Sequence, residues 1–260
     1  MAKAKYELEN GVALITLADP ATLNAISVEM TEDLSEFFDR AASEARCIVL
    51  TGEGRGFSSG ANLASGSPPV DADGHPDLGG RLETTFNPFV TKLRDLPIPY
   101  VTAVNGAAAG IGCSFALLGD LIVAGESAYF LQAFRRIGLV PDGSATYHLP
   151  RMIGRVRAME MMLLGERIPA KQAYEWGLVN RCVPDVDLLP TAKALALALA
   201  NGPTKTLGMI RRLAWSSLDN TWNEQLQAER QSQKIAGRTE DFREGVQAFF
   251  QKRAANFKGS

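Results

Sequence analysis

The chain has 260 residues, of which 46% are hydrophobic and 22% are charged, and its formal net charge is -2. This is enough apolar material for one large domain, or for one domain with a small appendage. The near-neutral balance excludes binding of nucleic acid or another polyanion by bulk charge. No stretch approaches the roughly 20 apolar residues that cross a bilayer, and the first ten residues lack the apolar run of a signal peptide.

The cysteines and histidines are few and scattered. Cys47, Cys113 and Cys182 are far apart, which favours free thiols in a reducing compartment. With only His75 and His148 and no CxxC pair, a zinc site is not expected. We therefore expect a cytoplasmic globular protein, with enzyme as the default class.

The first elements predict a parallel sheet. Strand-like runs flank Asn10-Gly11, the preferred pair for a two-residue hairpin turn. Residues 27–42 carry apolar side chains at helical spacing behind Ser27, a good N-cap, and residues 47–52 have the composition of a buried strand. A strand, a helix and a strand in this order indicate a crossover unit.

The rest of the chain divides at about residue 200. The sequence predicts a mobile surface loop (64–80), a helix (81–96), strands (100–106 and 121–125), and mostly helices after Pro150 with one extended stretch (178–183). We expect a mixed α/β core over residues 1–200 and a helical region over residues 201–260.

Two glycine-rich segments, 51–63 and 103–120, each follow a predicted strand. Neither is a nucleotide fingerprint, because Ser59 stands where G-x-G-x-x-G needs its third glycine and there is no P-loop. Glycine in such places often only permits tight turns and close packing. Alternatively, two such loops side by side offer bare backbone N–H groups to one oxygen, which is an oxyanion hole suited to an enolate. Spacing alone leaves both interpretations open.

Three motifs in order carry a family resemblance. "FSSGANL", "AVNGAAAGIGCSFALLGD" and "GLVPDGSATYHLPRMIGR", with "EGVQAFFQKRAANFKG" near the end, resemble the crotonase, or enoyl-CoA hydratase/isomerase, superfamily from about residue 6 onward. The resemblance implies an α/β spiral of strand-strand-helix units with a helical C-terminal trimerisation region. It also implies an acyl-CoA thioester substrate, no metal or further cofactor, and a homotrimer or a dimer of trimers.

The resemblance also assigns site residues. The oxyanion-hole donors would be the backbone N–H groups of Ala61 and Ile111, and the acid/base would be Asp142. The residues that match substrate or CoA contacts are Ala25, Asn62, Leu63, Ala64, Gly110, Phe134, Phe249 and Lys252. Phe134 could equally be core, and Lys252 could equally belong to a solvated helix face.

One departure from the hydratase pattern is decisive for the expected activity. The two glutamates that activate water in hydratases of this family match Ser114 and Phe134, neither of which is a general base at neutral pH. Asp142, in "GLVPDGS", matches the aspartate of the isomerase subgroup that acts on 3-enoyl-CoA and 1,2-epoxyphenylacetyl-CoA substrates. Ser144 and Ala145 replace part of that subgroup's glycine run.

Asp142 in a Pro-Gly turn could also be no more than a turn residue. The alternatives to an isomerase are an enoyl-CoA hydratase, a non-catalytic acyl-CoA-binding protein and, more weakly, a thioesterase. His148 lies near Ser144 and Asp142, but without a G-x-S-x-G elbow the sequence favours a packing role for it over a Ser-His-Asp triad.

Overall fold

The chain alternates strands and helices up to residue 183 and continues with helices alone. The computed structural model describes residues 2–63 and 70–260. The strands are β1 (Ala4–Glu9), β2 (Val12–Leu17), β3 (Cys47–Gly52), β4 (Gly56–Ser58), β5 (Tyr100–Val104), β6 (Ala107–Ala109), β7 (Leu121–Gly125), β8 (Tyr129–Leu131), β9 (Ile168–Pro169) and β10 (Arg181–Val183). The helices are α1 (Val28–Glu44), α2 (Leu78–Arg81), α3 (Asn87–Asp95), α4 (Gly110–Leu117), α5 (Ala145–Leu164), α6 (Ala170–Glu175), α7 (Leu188–Ala200), α8 (Thr204–Ser216), α9 (Trp222–Ala236) and α10 (Glu240–Gln251).

Two sheets organise these elements. One has the strand order β1-β2-β3-β5-β7-β10 and is parallel except for the β1–β2 hairpin. The other has the order β4-β6-β8-β9, in which β4, β6 and β8 are parallel. Each turn of the chain adds one strand to each sheet and then a helix, as in β3-β4-α3, β5-β6-α4 and β7-β8-α5. This is the expected spiral of strand-strand-helix units, which is confirmed.

Local chemistry explains the first elements. Asn10 and Gly11 both have positive φ, at 52° and 75°, as the hairpin turn requires. The Ser27 hydroxyl accepts a hydrogen bond from the backbone N–H of Met30 at 3.1 Å and so caps α1. One face of α1 then buries Leu34 and Phe38 against the larger sheet.

The core lies on both faces of the larger sheet. On one face, α1, α3, α4 and α5 bury large side chains such as Phe38, Phe115 and Tyr100. On the other face, α7 packs Ala192 and Ala196 against Val49 and Val101. The six-stranded sheet is therefore covered by helices on both sides, as is typical of parallel sheets.

The predicted helix over residues 81–96 is interrupted. A π-helical turn at Leu82–Phe86 separates α2 from α3. Pro88 follows at the start of α3 and has no N–H to donate to the preceding turn, so a continuous α-helical ladder cannot form there.

Two other predicted boundaries also shift. The extended stretch predicted over residues 178–183 is limited to β10, because the backbone N–H of Leu178 bonds to the carbonyl of Ala173 and closes α6. The loop predicted over residues 64–80 ends earlier, because the Asp77 carboxylate caps the first turn of α2. None of the described helices is long and apolar enough to cross a membrane.

Two arginines fasten the C-terminal helices to the sheets. Arg46 donates to the hydroxyl of Thr204 at 2.8 Å and to the carbonyl of Phe257 at 3.2 Å. Arg211 on α8 is 5% exposed and donates from Nε to the Asp120 carboxylate at 2.7 Å. Its other nitrogens donate to the carbonyls of Leu93, Arg94 and Leu96 at the end of α3. The division at residue 200 stays a prediction.

We expect Arg211→Met to lower the free energy of unfolding by about 3–5 kcal/mol, because three carbonyls lose their donor and the Asp120 carboxylate loses its cation and keeps only the Tyr100 N–H. Urea denaturation monitored by circular dichroism measures the change. The neighbouring exposed Arg212, replaced in the same way, is the matched control and should cost less than about 0.5 kcal/mol. Equal midpoints for the two variants would show that the hydrogen bonds of Arg211 do not stabilise the fold.

Candidate active site

Two glycine turns meet after β4 and β6. Gly60 and Gly110 have φ of 102° and 52°, a region that favours glycine. A methyl group on Gly60 would lie 3.0 Å from the carbonyl oxygen of Ala109 and 3.7 Å from the Cα of Gly110. The two loops therefore run side by side with their backbones in contact.

Each loop presents a backbone N–H. The ladder between the two chain segments uses Ile26 N–H to Gly60 carbonyl at 2.7 Å and Asn62 N–H to Ile26 carbonyl at 2.8 Å. Because N–H groups alternate along an extended chain, the Ala61 N–H points away from Ile26. The Ile111 N–H lies in the first turn of α4, which has no partner within the helix and no side-chain cap. Two donors beside a helix N-terminus suit an oxygen that gains negative charge.

The turn that carries Asp142 rests against α4. The Ser114 hydroxyl donates to the Asp142 carbonyl oxygen at 3.0 Å. Gly143 has φ of 59°, and a methyl group there would lie 2.7 Å from the Ser114 Cβ and 3.2 Å from the Ile111 Cγ1. The backbone of the Asp142 turn thus packs against α4 at Ser114 and Ile111.

The Asp142 carboxyl lies in an apolar environment. Its Oδ1 is buried and has no hydrogen-bond partner among the described residues. Burial raises its pKa to about 6, with no contribution from a charged neighbour. At neutral pH it is an ionised carboxylate with poor solvation, which is the state of an effective general base.

The two positions that match the hydratase glutamates carry a serine and a phenylalanine, neither of which is an acid or a base at neutral pH. Ser114 is completely buried and its hydroxyl is engaged with the Asp142 carbonyl. Phe134, in a 3-10 turn over Ala133–Ile137, is 7% exposed, and its Cζ lies 3.9 Å from where a Cβ on Gly110 would be. The ring therefore covers one side of the Gly110 turn.

The remaining predicted contact residues fall into two groups. Ala25 and Asn62 lie next to the Ile26–Ala61 bridge, and the Leu63 side chain is 71% exposed beside them. Ala64 lies outside the described residues. The structure thus brings Ala25, Asn62, Leu63 and Gly110 to the two loops.

The second group lies on α10. Phe249 is 79% exposed and lines a groove of about 740 Å³ among α8, α9 and α10. Lys252 ends α10 in a left-handed conformation. Their contacts with CoA stay a prediction.

His148 is buried and packs within the helical layer, and no triad forms. The Ser144 hydroxyl and His148 Nδ1 are 3.1 Å apart, but His148 Nε2 has no partner among the described residues and neither does Asp142 Oδ1. Sequence reasoning missed this Ser144–His148 contact and the Ser114 bond to the Asp142 carbonyl. The spacing of four residues between Ser144 and His148 at the start of a helix could have indicated the first contact. No local pattern indicates the bond from Ser114 to the Asp142 carbonyl.

Within the described ranges, no three side chains of His, Cys, Asp or Glu converge as metal ligands would. The cysteine thiols do not join the site either. Burial raises the pKa of Cys47 and of Cys113 to about 12, so both stay protonated.

Comparisons with known proteins agree on one family. The enoyl-CoA hydratase/isomerase model matches residues 7–260. The chain is 45% identical over 255 residues to 1,2-epoxyphenylacetyl-CoA isomerase of Escherichia coli, covering 97% of both chains. It is 42% identical to a probable enoyl-CoA hydratase of Rhodobacter capsulatus, covering 98% of this chain and 97% of the relative.

Solved structures agree with this assignment. A putative enoyl-CoA hydratase/isomerase from Mycobacterium abscessus aligns with a TM-score of 0.90 and 31% identity, over 99% of this chain and 100% of that chain. An enoyl-CoA hydratase subunit from Geobacillus kaustophilus aligns with a TM-score of 0.89 and 33% identity, over 99% and 98%. The fold is therefore the crotonase fold, and the chain belongs to the enoyl-CoA hydratase/isomerase family.

Proposed function

We propose that the chain is an acyl-CoA isomerase that moves a double bond through an enolate, with Asp142 as the single acid/base. The observation that carries this proposal is the buried Asp142 carboxyl, whose Oδ1 has no partner among the described residues and whose turn packs against Ser114 and Ile111 of α4. A 3-enoyl-CoA is the simplest substrate. A 1,2-epoxyphenylacetyl-CoA-like substrate is the specific form, and the name of the Escherichia coli relative supports it.

One carboxylate is sufficient for both proton transfers of the proposed reaction. Asp142 removes a proton from C2 of a 3-enoyl thioester, and the electron pair moves onto the carbonyl oxygen as an enolate. The N–H groups of Ala61 and Ile111 stabilise that negative charge. The protonated Asp142 then returns the proton at C4, and the double bond lies between C2 and C3.

Hydration is less well supported, although the Rhodobacter capsulatus relative is described as a probable hydratase. Hydration would need a second group that activates water. The Ser114 hydroxyl is already engaged, and Phe134 presents a hydrocarbon ring beside Gly110. Neither side chain offers a group that could take a proton from water.

The proposal also covers the binding of CoA and the oligomeric state. CoA would lie along Ala25, Asn62, Leu63, Ala64 and Gly110, with Phe249 and Lys252 supplied by the same or a neighbouring subunit. Exposed apolar side chains on α9 and α10, including Trp222, Phe249 and Phe250, support a homotrimer or a dimer of trimers. We propose a cytoplasmic enzyme that needs no metal and no cofactor beyond the CoA of its substrate.

We expect Asp142→Asn to lower the rate of 3-enoyl-CoA isomerisation at least about a hundredfold, because the amide cannot accept the C2 proton. The rise in absorbance of the conjugated product measures the rate. For the wild type, kcat/KM should rise with pH through about 6 as the Asp142 carboxyl ionises. Hydration of crotonyl-CoA, followed by loss of the same absorbance, should be negligible for both proteins.

The exposed Asp73, replaced by Asn, is the matched control and should keep the wild-type rate. Rapid crotonyl-CoA hydration that survives in Asp142→Asn would contradict the isomerase and favour the hydratase. Tight CoA-ester binding with no turnover of either substrate would favour a non-catalytic binder, and release of free thiol would favour a thioesterase.

The same carboxyl should lower stability at neutral pH. A folded-state pKa of about 6 lies above the unfolded value, so the folded protein binds the proton more tightly. Stability therefore falls as pH rises from about 4 to about 6 and then stays lower, by roughly 2–3 kcal/mol. Asp142→Asn should raise the free energy of unfolding at pH 8 by up to this amount and leave it nearly unchanged at pH 4. Urea titrations at both pH values measure the difference, and an equal effect at both would show that burial of charge is not its cause.

A further inference from the structure

Ser144, two residues after Asp142, has an unusual backbone. Its φ is 66° and its ψ is 8°, a left-handed conformation that is strained for a residue other than glycine. It is the N-cap of α5, yet its hydroxyl makes no capping bond to the helix. A serine that neither relieves strain nor caps its helix requires another explanation.

The hydroxyl is directed to an imidazole instead. Ser144 Oγ lies 3.1 Å from His148 Nδ1, and His148 is 1% exposed. Burial lowers the pKa of His148 to about 4, so the ring is neutral at physiological pH. A neutral imidazole has one donor and one acceptor nitrogen, and here only Nδ1 has a partner among the described residues.

His148 lines a cleft of about 440 Å³ between α5 and α8, together with Leu207, Trp215 and the paired Asp120 and Arg211. Neither Gly60 nor Gly110 nor Asp142 lines that cleft. The hydrogen bond to Ser144 is the contact that links His148 to the turn of Asp142.

We propose that the Ser144–His148 hydrogen bond is a positioning contact that fixes the turn carrying the Asp142 carboxylate. This inference rests on the proposed function, because it assigns the turn a catalytic group. Ser144 and His148 are positioning residues, and neither needs to touch the substrate.

The geometry of the turn explains why such a contact is needed. The Asp142 carbonyl is held by the Ser114 hydroxyl and by the Ala145 N–H at 3.1 Å. Gly143 lies between Asp142 and Ser144, and glycine gives the backbone more freedom than any other residue. With its Oδ1 unpartnered, the carboxylate has no bond of its own at that atom to fix its direction. The bond from Ser144 to the rigid ring in α5 limits rotation on the far side of Gly143.

The experiment compares Ser144→Ala, His148→Leu and the double variant in the 3-enoyl-CoA assay. We expect each single variant to lower kcat between roughly tenfold and roughly a hundredfold with KM within about twofold, because misplacement of a base affects the chemical step. The double variant should be no slower than the worse single variant, because both remove the same hydrogen bond. The apparent pKa on the acid side of the kcat-against-pH profile should be lower than in the wild type. A looser turn lets water reach Asp142, and better solvation lowers the pKa of its carboxyl.

Two further variants separate positioning from packing and strain. His148→Asn keeps a hydrogen-bonding atom near the place of Nδ1, whereas Leu has nearly the same shape without one, so Asn should recover at least part of kcat. Ser144→Gly removes the hydroxyl and also the backbone strain. We expect it to be as slow as Ser144→Ala although it is more stable. His75→Gln, at the exposed histidine, is the control and should match the wild type.

The outcomes distinguish this inference from the proposed function. If Asp142→Asn is inactive while Ser144→Ala and His148→Leu keep wild-type kcat and pH profiles, the positioning role is wrong and the isomerase proposal stands. Wild-type activity in Ser144→Gly, or equal rates for His148→Asn and His148→Leu with additive losses in the double variant, would also overturn the positioning role. Activity retained in Asp142→Asn would instead overturn the proposed function.

Discussion

The contact between two backbones, at Gly60 and Gly110, is the constraint on which the rest of the site depends. A side chain at Gly60 would press on the second loop, since its Cβ would lie 3.0 Å from the Ala109 carbonyl oxygen. At Gly110 it is the positive φ of 52° that favours glycine. The parallel pairing of β4 with β6 brings the two loops to the same sheet edge. The fold can therefore present two N–H donors to one oxygen without using any side chain.

Because the two N–H groups belong to the backbone, the chemistry open to the site depends on the side chains around them. Three such side chains are those of Ser114, Phe134 and Asp142. Ser114 gives its hydroxyl to the turn of Asp142, and the ring of Phe134 covers Gly110. Neither Ser114 nor Phe134 carries an acid, whereas Asp142 carries a carboxyl. The proposed isomerase needs no more than this, because moving a proton takes one acid/base and adding water takes a further group that activates it.

Much of this fold could be predicted from local sequence. Asn10-Gly11 marks the hairpin turn, Ser27 caps α1, and residues 47–52 form β3. The boundaries that shifted depend on single backbone groups: Pro88 cannot continue the helical ladder, and the Leu178 N–H closes α6 in place of extending β10. The site could be predicted less fully. The sequence shows its two loops as glycine-rich segments, but it does not establish that they contact each other. Residues 60 and 110 meet only through the sheet, and no local pattern encodes such a pairing.

The Asp142 turn illustrates how stability and the proposed reactivity oppose each other in one place. The carboxylate is ionised at neutral pH although burial raises its pKa to about 6, so the folded state carries a charge that water would solvate better. The left-handed backbone at Ser144 adds strain beside it. Neither feature helps the chain to fold, and both occur within three residues of the turn that faces α4. Strain and unfavourable burial persist only where the surrounding structure is strong enough to hold them. Here that support comes from α4, from the Ser114 hydroxyl and, in our proposal, from a buried imidazole one turn into α5, which together restrict the Pro-Asp-Gly segment.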